Sequence, residues 1–228
     1  MNNNNSQESW LPHLIINLIQ RFSWMLLVLI LVFGWTTPWL MSLTFICMIG
    51  PIVFSFYYGR AWCGNFCPRW SFSKVILSVI SPNKPFPKIL KNNLFRALIF
   101  LLLMSFFTYN LIQSNGTLFG IGIALIKMMA ITAFVQIYLA IIIHPYAWCA
   151  ICPMGTVSFY IARIKKGKID NLKIDKKCIA CGVCKESCPM QIDIPSWATT
   201  GELKDADCMK CRECVKSCSN KCLHYNEL

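Results

Sequence analysis

The sequence predicts a membrane all-α domain of four transmembrane helices in two repeated hairpins, followed by a small C-terminal α+β domain. Of 228 residues, 56% are hydrophobic and 14% are charged, whereas soluble domains carry roughly 25% charged residues. Four apolar stretches are each about 20 residues long, which is the length that crosses a bilayer. Fourteen cysteines recur too regularly for a small secreted disulfide scaffold. Together these features argue against a soluble enzyme and against a disordered chain.

The four apolar stretches lie in a predicted membrane domain at residues 14–160. They are predicted to span the membrane at residues 15–34, 38–58, 94–113 and 121–143. The Asn-rich segment before them, residues 1–13, is predicted to be disordered. No Asp or Glu lies in any of the four stretches. Because pumps and transporters usually need ionisable groups inside the membrane, ion transport is not expected.

Basic residues at the ends of these stretches predict the orientation. The connection between the second and third stretches carries six cations and no acid, and more cations follow the fourth stretch. The other two links, residues 35–37 and 114–120, carry no charge. By the positive-inside rule, both termini and the C-terminal domain are predicted to be cytoplasmic, in a multi-pass protein of the inner (cytoplasmic) membrane. The net charge of +12 is therefore assigned to contact with membrane lipid rather than with nucleic acid.

Eight cysteines form two copies of one motif in the predicted domain at residues 176–228, which follows a basic linker at residues 161–175. The copies are Cys178-x2-Cys181-x2-Cys184-x3-Cys188 and Cys208-x2-Cys211-x2-Cys214-x3-Cys218. Bacterial ferredoxins use this run for 4Fe-4S clusters, and in two-cluster domains the fourth cysteine of each run ligates the other cluster. The spacing thus predicts cluster 1 on Cys178, Cys181, Cys184 and Cys218, and cluster 2 on Cys208, Cys211, Cys214 and Cys188.

Zinc is the alternative occupant of these motifs, but it favours two C-x2-C pairs in a tetrahedral array. Three cysteines within seven residues, found twice, fit zinc poorly. The second copy has Ser219 where the first has Pro189, and Cys222 follows four residues after Cys218. Cys222 could compete as a ligand, although we expect it to be a spare thiol.

A second repeat ends the two predicted hairpins. Residues 63–68 and 149–153 each hold two cysteines followed by proline, here called the Cys-Pro motifs. If the halves are related by an axis along the membrane normal, the four thiols face each other at the cytoplasmic surface. Four such thiols could hold a third metal centre, either an iron–sulfur cluster or a Cu(I) site, or form two redox-active dithiols, or only terminate helices. The predicted ligands of this third centre are Cys63, Cys67, Cys149 and Cys152.

Three further residues near these motifs are interpreted from the sequence. Cys47 lies alone in the second stretch, and we expect it to act as a small buried hydrophobe. Arg60 and His144 precede the two Cys-Pro motifs. They are hypothetical contacts for a quinone head group or for lipid phosphate.

Four spans, the two Cys-Pro motifs and a C-terminal two-cluster domain resemble the NapH/NosR-type membrane ferredoxins, which are 4Fe-4S quinol dehydrogenase subunits of anaerobic respiratory chains. The resemblance covers residues 20–225. It carries over to Cys63, Cys67, Cys149 and Cys152 and to the eight cysteines of the C-terminal motifs. The second Cys-Pro motif here has two residues between its cysteines, where family members generally have three.

The resemblance implies electron transfer between membrane quinol and a partner redox protein or a larger membrane complex. On this reading the cofactors, and not protein side chains, carry the chemistry. Two other functions remain open at this stage. One is a copper-reducing or metal-centre assembly factor of the same architecture. The other is a membrane thiol oxidoreductase, which a cytoplasmic location disfavours because stable disulfides rarely form there.

Overall fold

The computed structural model describes residues 10–114, 116–165 and 171–225. In chain order the helices are α1 (Trp10–Phe33), α2 (Pro38–Tyr58), α3 (Ala61–Asn65), α4 (Pro68–Phe72), α5 (Ser78–Ile80), α6 (Asn93–Gln113), α7 (Leu118–Ile142), α8 (Ala147–Ile151) and α9 (Pro153–Ile164). A π-helical turn, Ser73–Leu77, joins α4 to α5, and a 3-10 turn, Lys88–Lys91, precedes α6.

The four long helices lie close to the predicted stretches, with the largest differences at their N-terminal ends. Residues 10–13 of the segment predicted to be disordered belong to α1, and residues 1–9 lie outside the described residues. Pro12 is compatible with this start because the first backbone N–H groups of a helix have no intrahelical acceptor. Helix α7 begins at Leu118, where Thr117 caps it by accepting a hydrogen bond from the Gly120 N–H at 3.1 Å.

Three helices are long and apolar enough to cross a membrane. Within the described part of the chain these segments are Ile16–Phe33, Asn93–Gln113 and Phe119–Ile142. In α2 the corresponding apolar segment is the shorter Leu43–Tyr58. Many large apolar side chains on these helices point outward, such as Leu101 and Phe134, as expected for contact with lipid. The structure therefore supports membrane association, and the count of four spans stays a prediction.

Each Cys-Pro motif starts a new helix. Pro68 and Pro153 are the first residues of α4 and α9, a position where the missing N–H costs nothing. A residue before proline is driven to extended backbone, and Cys67 and Cys152 have ψ angles of 118° and 132°. The second cysteine of each motif is consequently fixed at a sharp corner between two helices.

The helices that follow these corners form hydrogen bonds with the other hairpin. In α4, Arg69 donates to the Met129 carbonyl of α7 at 3.0 Å, and the Gln136 amide of α7 donates to the Arg69 carbonyl. In α9, the Ser158 hydroxyl donates to the Pro51 carbonyl of α2 at 3.2 Å. Hydrogen bonds thus run between the halves in both directions, while α9 packs on α2 of the other hairpin and α4 packs mainly on α1 of its own.

The C-terminal segment consists of short elements around a small sheet. They are β1 (Leu172–Ile174), α10 (Val183–Glu186), β2 (Glu202–Leu203), α11 (Glu213–Ser217) and β3 (Leu223–His224). The strand order is β2-β1-β3, and both pairings are antiparallel, with Leu172 opposite Leu203 and Ile174 opposite Leu223. A 3-10 turn, Ile194–Trp197, lies between α10 and β2. Helix α9 continues to Ile164, which is inside the predicted linker, and residues 166–170 lie outside the described residues.

Candidate metal centres

The thiols predicted to hold cluster 1 lie together. The Cys184 thiol interacts electrostatically with those of Cys178, Cys181 and Cys218. Helix α10 carries Cys184, and Gly182 precedes it with φ of +87°, a left-handed conformation that glycine adopts without steric cost. This turn brings Cys178 and Cys181 close to Cys184. Cys218 reaches it from the end of α11.

The thiols predicted to hold cluster 2 form a second group beside the first. Cys214 interacts with Cys208, Cys211 and Cys188, and more weakly with Cys184 of the first group. A contact between two serines joins the groups. Ser187 and Ser217 each precede the fourth cysteine of their motif, and their hydroxyl oxygens lie 2.6 Å apart. Burial raises the pKa of the Cys211 thiol to about 12. The ligand assignment itself stays a prediction, although this grouping is the one it requires.

Cys222 is a fifth thiol at the first group. Its side chain is buried, and its Sγ lies 3.4 Å from the Cys218 Sγ. It also interacts with Cys178. Hydrogen bonds, including that from Cys222, lower the pKa of Cys218, whereas burial and the contacts with Cys218 and Cys178 raise the pKa of Cys222. Sequence spacing indicated this competition, and the structure places Cys222 next to a predicted ligand.

The four cysteines of the Cys-Pro motifs converge on one cavity between the two halves. The cavity has a volume of about 100 Å³ and is lined by Cys63, Cys67, Cys149 and Cys152. The Cys149 thiol interacts electrostatically with the other three. An engineered apolar cavity of about 150 Å³ holds a benzene molecule, so this space is of a size that suits a compact inorganic group. The predicted meeting of the two motifs across the repeat is observed.

Further soft donors line the same cavity. They are Cys47, Met48, Met128, Met129 and Met154. Sequence reasoning missed Cys47 because it stands alone in α2, where a cysteine usually packs as a hydrophobe. It also missed the methionines, because Met is a common filler of irregular cores. Their shared position becomes visible only when α2 and α7 are brought together.

A buried ion-pair group links the Cys-Pro motifs to the C-terminal segment. Arg60 donates from Nη1 to Asp207 Oδ1 at 2.7 Å and from Nη2 to the Cys149 carbonyl at 2.8 Å. Arg96 donates to the other oxygen, Asp207 Oδ2, at 3.0 Å. All three side chains are buried. Arg60 is therefore held inside the protein by Asp207 and the Cys149 carbonyl, and its hypothetical contact with a quinone or a lipid phosphate stays a prediction.

His144, the other hypothetical quinone contact, is also buried. Its Nδ1 accepts a hydrogen bond from the Tyr146 N–H at 3.3 Å, and its ring stands edge-on to Phe86 at 4.9 Å. Burial lowers the pKa of His144 to about 4. The imidazole is therefore neutral at pH 7.

The loop of the first Cys-Pro motif touches the loop of the second C-terminal motif. A Cβ atom placed on Gly64 would lie 2.3 Å from the Met209 carbonyl oxygen and 3.0 Å from the Cys211 Cβ. Only glycine permits this approach. Tyr146 bridges the same region, since its hydroxyl interacts with both Cys149 and Cys211. The loop of Cys63 and Cys67 therefore touches the loop of Cys208 and Cys211, and Tyr146 interacts with a thiol of each group.

The charge around the cavity fits an anionic occupant. Arg60 and Arg69 line it, and neither positive charge is fully compensated. Arg69 donates only to neutral oxygens, those of Met129 and Thr132, and Arg60 shares the Asp207 carboxylate with Arg96. Arg60 Nε and Trp148 Nε1 are buried without a hydrogen-bond partner. Four thiolates around an oxidised 4Fe-4S core carry a charge of about −2. The excess of buried cations matches such a group.

The spacing of the thiols also bears on the kind of metal site. Within the ranges that the structure describes, no three Cys, His, Asp or Glu side chains lie close enough to hold one metal ion. Zinc draws four ligands to a single ion. In a 4Fe-4S cluster each cysteine binds a different iron, so the sulfur atoms stand further apart. The preference for a cluster over zinc therefore continues to depend on the cysteine spacing in the sequence.

Comparison with known families identifies the repeat. Residues 40–87 and 125–171 each match the family model described as a 4Fe-4S binding domain. The two matches contain Cys63 and Cys67 in the first and Cys149 and Cys152 in the second. These are the two halves that the sequence repeat predicted.

Two curated relatives are similar over most of the chain. Both are uncharacterized proteins of Methanocaldococcus jannaschii. The first is 27% identical over 193 residues, which cover 80% of this chain and 71% of the relative. The second is 24% identical over 190 residues, which cover 77% and 75%. No solved structure matches. A 4Fe-4S binding domain, together with helices apolar enough to cross a membrane, is therefore what the comparisons and the fold support in common.

Proposed function

We propose that this protein is a membrane-anchored iron–sulfur electron-transfer protein with three 4Fe-4S centres. It would connect the quinone pool or a membrane redox partner with a partner redox protein, as the NapH/NosR-type resemblance implies. When bound, such clusters supply one-electron oxidation and reduction. Cys178, Cys181, Cys184 and Cys218 would hold cluster 1, Cys208, Cys211, Cys214 and Cys188 cluster 2, and the four cavity cysteines the third centre.

The observation that carries this proposal is the contact between Gly64 and the Met209–Cys211 backbone. This contact brings the loop of the cavity cysteines Cys63 and Cys67 against the loop of Cys208 and Cys211, and Cys214 of the second group interacts with Cys184 of the first. A protein that only stored metal would need no such continuous arrangement. The buried Arg60–Asp207–Arg96 group supports it further, because it fixes the C-terminal domain against the membrane helices.

The orientation proposed from the sequence agrees with where the motifs lie. Arg60 follows the end of α2 and Arg96 lies near the start of α6, so both mark the same end of the helices. The exposed lysines Lys84, Lys88 and Lys91 belong to the connection at this end. By the positive-inside rule this end, with the C-terminal domain, would be cytoplasmic in the inner membrane.

Iron content tests the proposal. Anaerobically purified protein should be brown and contain about twelve irons per chain, with matching acid-labile sulfide, because each 4Fe-4S cluster holds four. C63S/C149S should retain about eight, from the two C-terminal clusters. C47S is the matched control in the same cavity and should keep about twelve. A colourless protein that binds zinc would contradict the proposal, and equal iron in wild type and C63S/C149S would remove the third centre.

A second candidate function is copper handling, and the methionines of the cavity favour it. Thiolates and thioethers are the ligands that select Cu(I), and Met48, Met128, Met129 and Met154 line the cavity beside its cysteines. Anaerobic titration with Cu(I) against a chelator would separate the two functions. Tight binding that C63S/C149S abolishes, in a protein with only about eight irons, would favour copper.

A further inference from the structure

The two C-terminal cysteine motifs are alike in sequence and opposite in exposure. In the second motif Met209 and Cys211 are buried where that loop meets Gly64. In the first motif Cys181 is exposed, and Ile179 is 71% exposed. Cluster 1 would thus lie on the side turned away from the membrane helices. Its loop is open to contact with another molecule.

Apolar side chains flank the exposed cysteine. Ile179 lies two residues before Cys181, and Val183, which is 42% exposed, lies two residues after it. Neither belongs to a membrane helix, so lipid contact does not account for their exposure. A small apolar patch beside a redox centre fits the weak and brief encounters of electron-transfer proteins, which bury less than about 1,200 Å².

Basic side chains surround this patch. Lys176 and Lys177 precede the motif. The Asp175 N–H donates to the Cys222 carbonyl at 2.9 Å, and the Cys178 N–H donates to the Asp175 carbonyl at 3.0 Å. These two hydrogen bonds bring Lys221 beside Lys176 and Lys177. All three lysines are exposed. Of the nearby acids, Asp175 lies 3.8 Å from His224, and Glu186 ends α10, where Lys185 pairs with Asp193. Among the described side chains none of the three lysines is in an ion pair, whereas Lys185 and Asp193 pair with each other, so the three ammonium groups are available to an acidic partner.

We propose that Ile179, Cys181, Val183, Lys176, Lys177 and Lys221 form a docking surface, here called the cap surface, for an acidic soluble protein that carries single electrons. The lysines would attract the acidic partner and orient it, and the apolar pair would form the centre of the contact. This inference rests on the proposed function, since it assigns the partner of cluster 1.

Binding is measured with the full-length protein in nanodiscs of zwitterionic phosphatidylcholine, so that anionic lipid cannot compete. The probe is oxidised flavodoxin, a small acidic flavoprotein, and the readout is the dissociation constant at several salt concentrations. K176E/K177E should weaken binding at least about tenfold and flatten its salt dependence. I179S should weaken binding without changing the salt dependence.

The control variant, K84E/K88E, reverses two exposed lysines outside the cap surface and should leave the dissociation constant unchanged. Equal weakening by both double variants would mean general attraction to a protein of net charge +12, and would overturn the inference. Equal or tighter binding of the basic protein cytochrome c would overturn it as well. Iron content and optical spectra of the same samples test the proposed function separately, because wild-type protein without clusters would refute that function whether or not flavodoxin binds.

Discussion

Asp207 Oδ1 lies 2.7 Å from Arg60 Nη1, and 147 residues of chain separate the two. Asp207 immediately precedes Cys208, a predicted ligand of cluster 2, and Arg60 immediately precedes the helix that carries Cys63. The ion pair therefore joins the start of a C-terminal motif to the start of a Cys-Pro motif. Because Arg96 holds the second oxygen of the same carboxylate, Asp207 anchors the C-terminal domain to both hairpins.

Asp207→Asn should strongly destabilise the protein. It removes the carboxylate that compensates two buried guanidinium groups, and breaking a buried ion pair from one side costs about 3–5 kcal/mol. Asp193→Asn is the matched control, because Asp193 pairs with Lys185 at 3.4 Å with both side chains about half exposed, and exposed pairs contribute roughly 0–1 kcal/mol. Thermal unfolding in detergent measures both. Equal midpoints for the two variants would show that Asp207 does not anchor the domain.

Gly64→Ala should separate the cavity thiols from the cluster 2 thiols. The new methyl group would meet backbone at Met209, which cannot move as a flexible side chain can. Overpacking of this kind costs about 1–3 kcal/mol. In electron paramagnetic resonance spectra of the reduced protein, the magnetic interaction between the third centre and cluster 2 should weaken while the iron content stays near that of wild type. Unchanged coupling would mean that the two loops need not touch.

The long helices and the groups of thiols could be predicted from the sequence because the patterns that indicate them are local. Apolar length predicted the long helices, and cysteine spacing predicted which thiols of each motif lie together, since tight turns place them within a few residues. The proline after Cys67 and after Cys152 also fixed where α4 and α9 begin. These features depend on backbone rules that act over short distances.

The burial of Arg60 could not be predicted from local patterns of this kind. At the end of a membrane helix an arginine normally points to water or lipid phosphate, and its partner Asp207 lies in another domain. Nine of the ten acidic residues of the chain lie after Ile161, so an acid directly before a cluster motif gave no distinctive signal. The cavity role of Cys47 likewise depends on packing between helices, which no periodicity in α2 reveals.

Cys222 should tune cluster 1 and be able to replace a ligand. Its Sγ lies 3.4 Å from that of Cys218. When Cys218 is bound as a thiolate, the Cys222 S–H would donate to it, and hydrogen bonds to ligand sulfurs help to set cluster potentials. Cys222→Ala should leave the iron content unchanged and lower the reduction potential of cluster 1, because the thiolate loses a stabilising donor. Cys222→Ser, which keeps a donor, should shift the potential less.

The same closeness predicts how the protein responds to loss of Cys218. Cys218→Ser should still contain a 4Fe-4S centre at this position, held through Cys222, with an altered electron paramagnetic resonance spectrum. C218S/C222S should lose it, and about four irons with it. Complete loss of cluster 1 in Cys218→Ser alone would show that Cys222 cannot reach the cluster.

His144 should make the stability of the protein depend on pH below neutrality. Burial lowers its pKa to about 4, whereas an unfolded chain has a histidine pKa of about 6.5. Between these pH values the imidazole is protonated in the unfolded state and neutral in the folded state. The contribution of His144 to the free energy of unfolding is therefore complete above pH 6.5 and is lost as the pH falls through 4. The linked loss is on the order of 3 kcal/mol.

His144→Gln removes this titration, so its unfolding midpoint should change less between pH 7 and pH 4.5 than that of wild type. His224→Gln is the control, since His224 is about half exposed on β3 and should keep the wild-type pH profile. The comparison between variants matters because acid also releases metal from thiolates, in all of them alike. Parallel profiles for wild type and His144→Gln would mean that the buried imidazole accepts a proton without cost, and that the contact with Phe86 opens in acid.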